Sequence, residues 1–337
     1  NIKEKFLELT SRTYPHGTEE DIFPLLDSRL EKDEFGNLFI QIGESDVMFT
    51  SHLDTATSAL TQVVHTFDGK LIKTDGKSIL GADDKAGVVI MLNMIENNIP
   101  GLYYFFLGEE VGCIGSRKVA TKQKTEKIEG INKVISFDRR GTDSVITFQS
   151  SQRCCSETFG EALSKQLNLA DETFSYKNDP TGILTDSVQF IGIYSECTNI
   201  SVGYKSEHTF SEQQDIEHLT KLAEACLLVD WESLPTERDM TKKEYKSYGY
   251  TKMGDVVNLA DPDVTINFSD DANKRETGKI KDLKGAKKGK TVLVLNTTSS
   301  ETEIEIPQAG QIYVLSADEL TSKNVKCNGA ELKLNAD

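Results

Sequence analysis

The strongest constraint on the fold is a nearly unbroken apolar run at residues 102–107, Leu-Tyr-Tyr-Phe-Phe-Leu. A strand with one solvated face alternates apolar and polar side chains, whereas a strand covered on both faces is apolar throughout. The run therefore predicts a central strand with helices on both sides of its sheet. A helical pattern at residues 85–97 precedes it. Together they favour an α/β fold with three layers, αβα, around a mostly parallel sheet.

Predicted strands at 46–50, 102–107 and 132–137 lead into side chains that can bind a metal. These side chains are His52 and Asp54, Glu109 and Glu110, and Asp138. Parallel strands bring their carboxyl ends to one edge of the sheet, where the sites of open α/β folds lie. Gathered there, the carboxylates would repel one another, and a bound divalent cation resolves that conflict.

Two further segments carry candidate ligands. The segment Gly-Ala-Asp-Asp-Lys-Ala-Gly at 81–87 places Asp83 and Asp84 at a predicted strand-to-helix junction. This segment alone leaves two explanations open: the acids cap the helix and suit its dipole, or one of them binds a metal. His208 lies in a loop before a predicted amphipathic helix at 213–229. His16, in a loop near the start of the chain, is interpreted as an ordinary surface histidine.

The composition excludes some partners. With 54 acidic and 38 basic residues, the net charge of -16 argues against a nucleic-acid surface and suits a protein that collects cations. No apolar run approaches the ~20 residues of a membrane span, and the first residues lack a signal-peptide core. The six cysteines lack CxxC spacing, which indicates buried or free thiols in a reducing compartment. We therefore expect a cytoplasmic protein with no membrane partner.

The 337 residues favour one large domain and one small one. We expect a catalytic domain at 1–235, a polar linker at 236–250 and a small all-β, sandwich-like domain at 251–337. The last assignment depends on short strand patterns separated by turn residues such as Asn328-Gly329. The β-domain offers a surface for a partner, and self-association of the chain is left open.

Five motifs, taken in order, resemble those of the co-catalytic di-zinc exopeptidases, the clan of peptidase T, the glutamate carboxypeptidases and the bacterial leucine-type aminopeptidases. They are Ser-His-Leu-Asp at 51–54, Gly-Ala-Asp-Asp-Lys-Ala-Gly at 81–87, Gly-Glu-Glu-Val-Gly at 108–112, Phe-Asp at 137–138 and Glu-His-Thr at 207–209. The resemblance covers about residues 1–235. It implies that Asp83 bridges two ions and that the metal ligands are His52, Asp83, Glu110, Asp138 and His208.

By the same resemblance, Asp54 orients His52, and Glu109 is the general base and acid. Two divalent ions would hold a bridging hydroxide that attacks the terminal bond of a short peptide. Zinc suits the nitrogen and oxygen ligands, and manganese or cobalt could replace it. The implied protein is a zinc-dependent metallopeptidase, and among exopeptidases an aminopeptidase is favoured.

The substrate class is open. Peptidase T and its closest relatives insert a lid domain before the last histidine, and the 70 residues from Asp138 to His208 leave no room for one. Arg139 and Arg140 could bind a substrate carboxylate, which would make the protein a carboxypeptidase or an N-acyl amino-acid amidohydrolase. A non-catalytic binding protein on a peptidase fold is a further alternative.

Overall fold

The structure is a computed structural model of the chain. It describes residues 1–242 and 244 and, beyond them, only the backbone of six short strands. The chain divides into two compact units, Asn1–Glu244 and Tyr245–Asp337.

The first unit contains fourteen strands in its described residues, numbered here in chain order. They are β1 (Glu31–Lys32), β2 (Leu38–Ile42), β3 (Val47–His52), β4 (His65–Asp68), β5 (Leu71–Thr74), β6 (Gly101–Phe106), β7 (Lys133–Arg139), β8 (Ser144–Ile146), β9 (Phe148–Gln149), β10 (Gln152–Arg153), β11 (Lys177–Asp179), β12 (Glu196–Ser201), β13 (Tyr204–Lys205) and β14 (Gln213–Asp215). Eight of them form one large sheet in the order β1-β2-β6-β3-β7-β12-β8-β11.

The centre of the large sheet is parallel. Strands β6, β3, β7 and β12 run in one direction, so their carboxyl ends share one edge. Antiparallel pairs flank them, β2 with β6 on one side and β8 with β12 on the other. Every residue of β6 is buried, as the apolar run at 102–107 predicted, and every residue of β3 is buried as well. The predicted α/β core with a mostly parallel sheet is thereby confirmed.

The described part of the first unit contains five α-helices. They are α1 (Ile2–Leu9), α2 (Ala82–Glu96), α3 (Ile114–Gln123), α4 (Glu157–Ala170) and α5 (Ile216–Ala225). Helix α2 packs on β3 and β7 and against α1 and α5, whereas α3 packs against a 3-10 helix at Asp186–Phe190. Helix α5 begins at Ile216 and not at 213, because residues 213–215 pair as β14 and Asp215 caps the helix.

A small antiparallel sheet, in the order β13-β14-β5-β4, carries the loop that contains His208. Strands β4 and β5 form a hairpin, which turns at Gly69 with a φ of 58°. Strand β5 pairs with β14, so the hairpin supports the strand that follows the His208 loop. The sheet therefore fixes both ends of that loop.

The cysteines of the first unit are free and buried, which confirms that prediction for Cys113, Cys154, Cys155, Cys197 and Cys226. In the part of the chain that the structure describes, no helix has the length and apolarity to cross a membrane.

In the second unit the backbone of β15 (Thr265–Phe268), β16 (Ile280–Lys284), β17 (Glu303–Ile306), β18 (Asn324–Cys327), β19 (Ala330–Leu332) and β20 (Asn335–Ala336) is described. These strands form two three-stranded sheets, β16-β15-β20 and β17-β18-β19. The rest of the predicted sandwich at 251–337 lies outside the described residues, and the sandwich stays a prediction.

Candidate metal centre

The structure brings the five predicted metal ligands together at the carboxyl edge of the parallel strands. His52 ends β3, Asp138 is the residue before the last of β7, and Glu110 follows β6. Asp83 lies in the first turn of α2, and His208 lies in the loop between β13 and β14. Five separate segments thus converge on one place, as the rule for parallel strands predicts for three of them.

One group of donors consists of His52, Asp83 and Asp138. The Nε2 atom of His52 lies 2.9 Å from Asp83 Oδ1 and 3.9 Å from Asp138 Oδ1. One donor atom from each residue lies within 4.8 Å of the other two. Asp138 is held in place by the hydroxyl of Tyr204, which donates to its Oδ1 over 2.9 Å, and by that of Thr185, which donates to its Oδ2 over 2.5 Å.

A second group consists of Asp83, Glu110 and His208. The Nε2 atom of His208 lies 3.1 Å from Asp83 Oδ2 and 3.0 Å from Glu110 Oε2. Asp83 therefore faces His52 with one carboxylate oxygen and His208 with the other. One carboxylate is therefore shared between the two donor groups.

Glu109 lies at the side of these groups. Its Oε2 is 3.9 Å from His52 Nε2, and its Oε1 accepts a weak hydrogen bond from the thiol of Cys113 over 3.5 Å. Burial raises the pKa of Glu109 to about 9, against the opposing effect of His52. One donor atom each from Glu109, His52 and Glu110 also lies within 4.8 Å of the other two.

Asp54 lies between His52 and the loop after β6. Its Oδ1 lies 3.3 Å from His52 Nδ1 and accepts the backbone amide of Glu109 over 3.0 Å. Its Oδ2 accepts the backbone amide of Glu110 over 3.0 Å. The side chain is fully buried, so one carboxylate links β3 to the two glutamates.

Asp84 joins the end of β3 to the start of α2. Its Oδ2 accepts the amide of His52 over 3.2 Å and the hydroxyl of Ser51, and its Oδ1 accepts the amide of Gly87 over 3.2 Å. Both its oxygens are therefore engaged by the protein. The sequence left open whether these aspartates start the helix or bind a metal. In the structure Asp84 shapes the turn at the start of α2, and Asp83 belongs to both donor groups.

The site contains residues that the sequence did not single out. Glu212 is fully buried and accepts the backbone amides of Gly81 and Asp83. Its sequence signal is a carboxylate four residues after His208 in the same loop. His16, predicted to be a surface residue, is 39% exposed, and its Nδ1 lies within hydrogen-bond distance, 2.7 Å, of Glu19 Oε1.

The position of His16 differs from that of an ordinary surface residue. A Cβ on Gly108 would lie 2.8 Å from the His16 ring, so the ring packs against the loop that carries Glu109. Gly108 has a φ of 65°, a conformation that favours glycine for a second reason. His16 therefore supports the loop from outside the two donor groups.

The electrostatics of the site suit divalent cations. Burial, followed by the charge of Asp83, raises the pKa of Asp138 well above its usual range, and burial also raises that of Glu110. Burial opposes protonation of His52, but Asp54 and Asp83 outweigh it and raise its pKa. Glu110 Oε1 is buried and has no hydrogen-bond partner among the described residues. Bound cations would replace the protons that these groups otherwise need, and they would give that oxygen a partner.

These features define the class of co-catalytic zinc-exopeptidase folds: two nitrogen and oxygen donor groups share one carboxylate at the edge of a parallel sheet. Residues 37–223 match Peptidase family M28. The match covers more than half of the chain, and the protein belongs to that family.

One curated relative is the "Uncharacterized protein YqjE" of Bacillus subtilis strain 168. It is 32% identical over a match that covers 34% of this chain and 38% of that protein. The matched region therefore spans less than two fifths of the relative's length.

Solved structures share the fold at low sequence identity. The aminopeptidase PepT from Bacillus cereus has a TM-score of 0.55 at 18% identity and covers 68% of this chain and 97% of its own. A tripeptidase from Staphylococcus aureus has a TM-score of 0.52 at 19% identity, and the match covers 68% of this chain and 97% of the tripeptidase. An aminopeptidase from the archaeon Desulfurococcus kamchatkensis has a TM-score of 0.51 at 14% identity and covers 69% and 94%.

Proposed function

We propose that this protein is a metal-dependent exopeptidase that removes the amino-terminal residue of short peptides. The observation that carries the proposal is the placement of Asp83, whose two oxygens face His52 and His208, beside Glu109, whose Oε2 lies 3.9 Å from His52 Nε2. Membership of Peptidase family M28 supports a hydrolase.

The residues present fit two divalent ions. His52, Asp83 and Asp138 would hold one, and Asp83, Glu110 and His208 the other. When bound, such ions supply a water of lowered pKa and polarise the scissile carbonyl. Zinc matches this mixture of imidazole and carboxylate donors, and manganese or cobalt are alternatives.

The protein's own contribution to the reaction lies with Glu109. Its carboxylate lies at the edge of both donor groups and would take a proton from the attacking water and deliver it to the leaving amine. Asp54 positions this carboxylate, because it accepts the backbone amide of Glu109. It also lies next to Nδ1 of His52, so Nε2 faces the ligands.

The surroundings of the two arginines favour an aminopeptidase over a carboxypeptidase. Arg139 lies 3.5 Å from Asp179 and donates to the hydroxyl of Thr181 over 3.1 Å. Arg140 donates to Glu207 over 3.2 Å. Each guanidinium is thus already paired with an acid of the protein, which partly neutralises its charge and weakens the case for a carboxylate-binding site.

The test compares Glu109→Gln with the wild type in metal content and turnover. We expect the wild type to cleave amino-acid p-nitroanilides, to lose activity in chelator and to recover it on addition of zinc. Glu109→Gln should bind the same amount of metal and lose activity by a factor of 10² or more. Glu224→Gln, on the exposed face of α5, is the control and should retain full activity.

The outcomes separate the alternatives. Cleavage of N-acyl amino acids in place of p-nitroanilides would identify an amidohydrolase or carboxypeptidase. Metal binding without turnover of any substrate would indicate a binding protein, and full activity of Glu109→Gln would exclude the proposed role of that residue. The cytoplasmic location and self-association of the chain stay predictions.

A further inference from the structure

Glu212 is a buried carboxylate that binds backbone and no other charged side chain in its hydrogen bonds. It is 0% exposed. Its Oε2 accepts the amide of Gly81 over 2.8 Å, and its Oε1 accepts the amide of Asp83 over 3.0 Å. Glu212 belongs to none of the groups of metal-binding donor atoms among the described residues.

The amides that Glu212 binds need an acceptor from elsewhere in the chain. Amides in the first turn of a helix have no partner within that helix. Asp83 also departs from helical geometry, with a φ of -78° and a ψ of 102°, although it lies within the first turn of α2. The helix therefore does not hold Asp83 in position by its own hydrogen bonds, and Glu212 supplies a fixed point.

Glu212 is the third carboxylate of this kind in the site. Asp54 accepts the amides of Glu109 and Glu110, and Asp84 accepts those of His52 and Gly87. In each case a buried acid holds the backbone of a segment that presents a metal-facing side chain. The acids of the site thus form two sets. One set belongs to the donor groups, and the other accepts hydrogen bonds from the backbone of the segments that carry those donors.

We propose that Glu212 is a positioning residue for Asp83, the carboxylate shared between the two donor groups. With its backbone held at two amides, Asp83 keeps its oxygens 2.9 Å and 3.1 Å from the nitrogens of His52 and His208. The proposal rests on the proposed function in one respect, that Asp83 binds metal. Loss of Glu212 should therefore weaken metal binding more than it weakens the fold.

The test measures zinc affinity by competition with a chromophoric chelator and thermal stability of the metal-free protein. Glu212→Gln keeps the size of the side chain but removes its charge, and its amide group can accept at one oxygen only. We expect a 10- to 100-fold loss of zinc affinity, the range typical of residues that support metal ligands. Glu212→Asp, which keeps the charge on a shorter side chain, should also bind zinc less tightly.

Glu196→Gln is the matched control. Glu196 is also 0% exposed and accepts backbone amides, those of Ser156, Glu237 and Arg238, but it lies at the amino end of β12. The Glu196→Gln substitution should lower the stability of the metal-free protein and leave zinc affinity within about twofold of the wild type. Wild-type zinc affinity in both folded Glu212 variants, or an equal loss in Glu196→Gln, would overturn the proposal. A wild type that binds no zinc would instead refute the proposed metal centre.

Discussion

The buried ammonium of Lys85 donates a hydrogen bond of 2.9 Å to the backbone carbonyl of Asp54. Lys85 is 1% exposed, and burial lowers its pKa against the raising effect of the nearby aspartates. It lies within cation–π distance of Tyr14, 5.7 Å from the ring centre. A single cation therefore connects the first turn of α2 to the segment after β3.

Replacement of Lys85 by Met should destabilise the protein by about 3 kcal/mol, because it leaves a buried carbonyl and nearby carboxylates without their cation. Urea unfolding of the metal-free protein measures this change. Lys165→Met, at an exposed position of α4, should shift the free energy of unfolding by less than about 0.5 kcal/mol. Equal effects of the two substitutions would contradict the structural role of Lys85.

Replacement of Asp54 by Asn should reduce kcat/KM by about 10- to 100-fold, because one of the amides of Glu109 and Glu110 would face an NH2 group. Steady-state kinetics on a p-nitroanilide substrate measures this loss. The control is Asp33→Asn, since Asp33 also accepts two backbone amides, those of Phe35 and Asn37, in a turn before β2. This control should lower stability and leave kcat/KM unchanged. A normal kcat/KM for the Asp54 variant would show that the loop after β6 holds its shape without that carboxylate.

Buried His218 should make the protein less stable as the pH falls. Burial lowers its pKa to about 4, and its Nε2 lies 2.9 Å from the hydroxyl of Tyr176. The ordinary pKa of histidine is about 6.5. At pH values between about 6.5 and about 4, the unfolded chain therefore binds a proton at this residue that the folded protein does not bind. This residue therefore removes about 2 kcal/mol of stability between pH 7 and pH 5.

His218→Gln lacks that protonation step, so its stability should fall less over the same range. Urea unfolding of both proteins at pH 7 and pH 5 gives the comparison, in which the carboxylates that titrate in both proteins cancel. Asp215 and the lysines Lys70 and Lys221 act on the pKa of His218 from nearby, and they are retained in the variant. Parallel pH dependence of the two proteins would argue against a depressed pKa at this residue.

Replacement of Gly87 by Ala should destabilise the protein by about 3 kcal/mol, because there is no room for a side chain at this position of α2. The added Cβ would lie 2.2 Å from the carbonyl oxygen of Phe137 and 2.7 Å from Asp84 Oδ1. The control is Gly192→Ala, whose Cβ would meet no heavy atom within 4 Å. Thermal unfolding of both variants should show a large shift for the first and a small one for the second.

Local patterns in the sequence were sufficient to predict the buried strand of the core and to predict that the side chains at the strand ends meet at one edge of the sheet. An apolar run predicts a strand buried on both faces wherever it occurs, and parallel strands must share an edge at their carboxyl ends. His52, Glu109 and Asp138 could therefore be placed together from strand ends alone. Asp83 and His208 were candidate ligands from their own segments, but their place beside these strand ends came from the resemblance of their motifs.

The tertiary structure alone decided how these residues are held. Glu212 and Gly81 are 131 residues apart in the chain, and Lys85 and Asp54 are 31 apart. The pairing of Arg139 with Asp179 and of Arg140 with Glu207 was equally invisible in the sequence. Periodicity reports which face of a helix or strand is buried, but not which distant group fills a hydrogen bond there. The sequence by itself thus determined which chemical groups reach the edge of the sheet. The packing of distant segments decided which of these groups belong to the donor groups and which accept hydrogen bonds from the backbone.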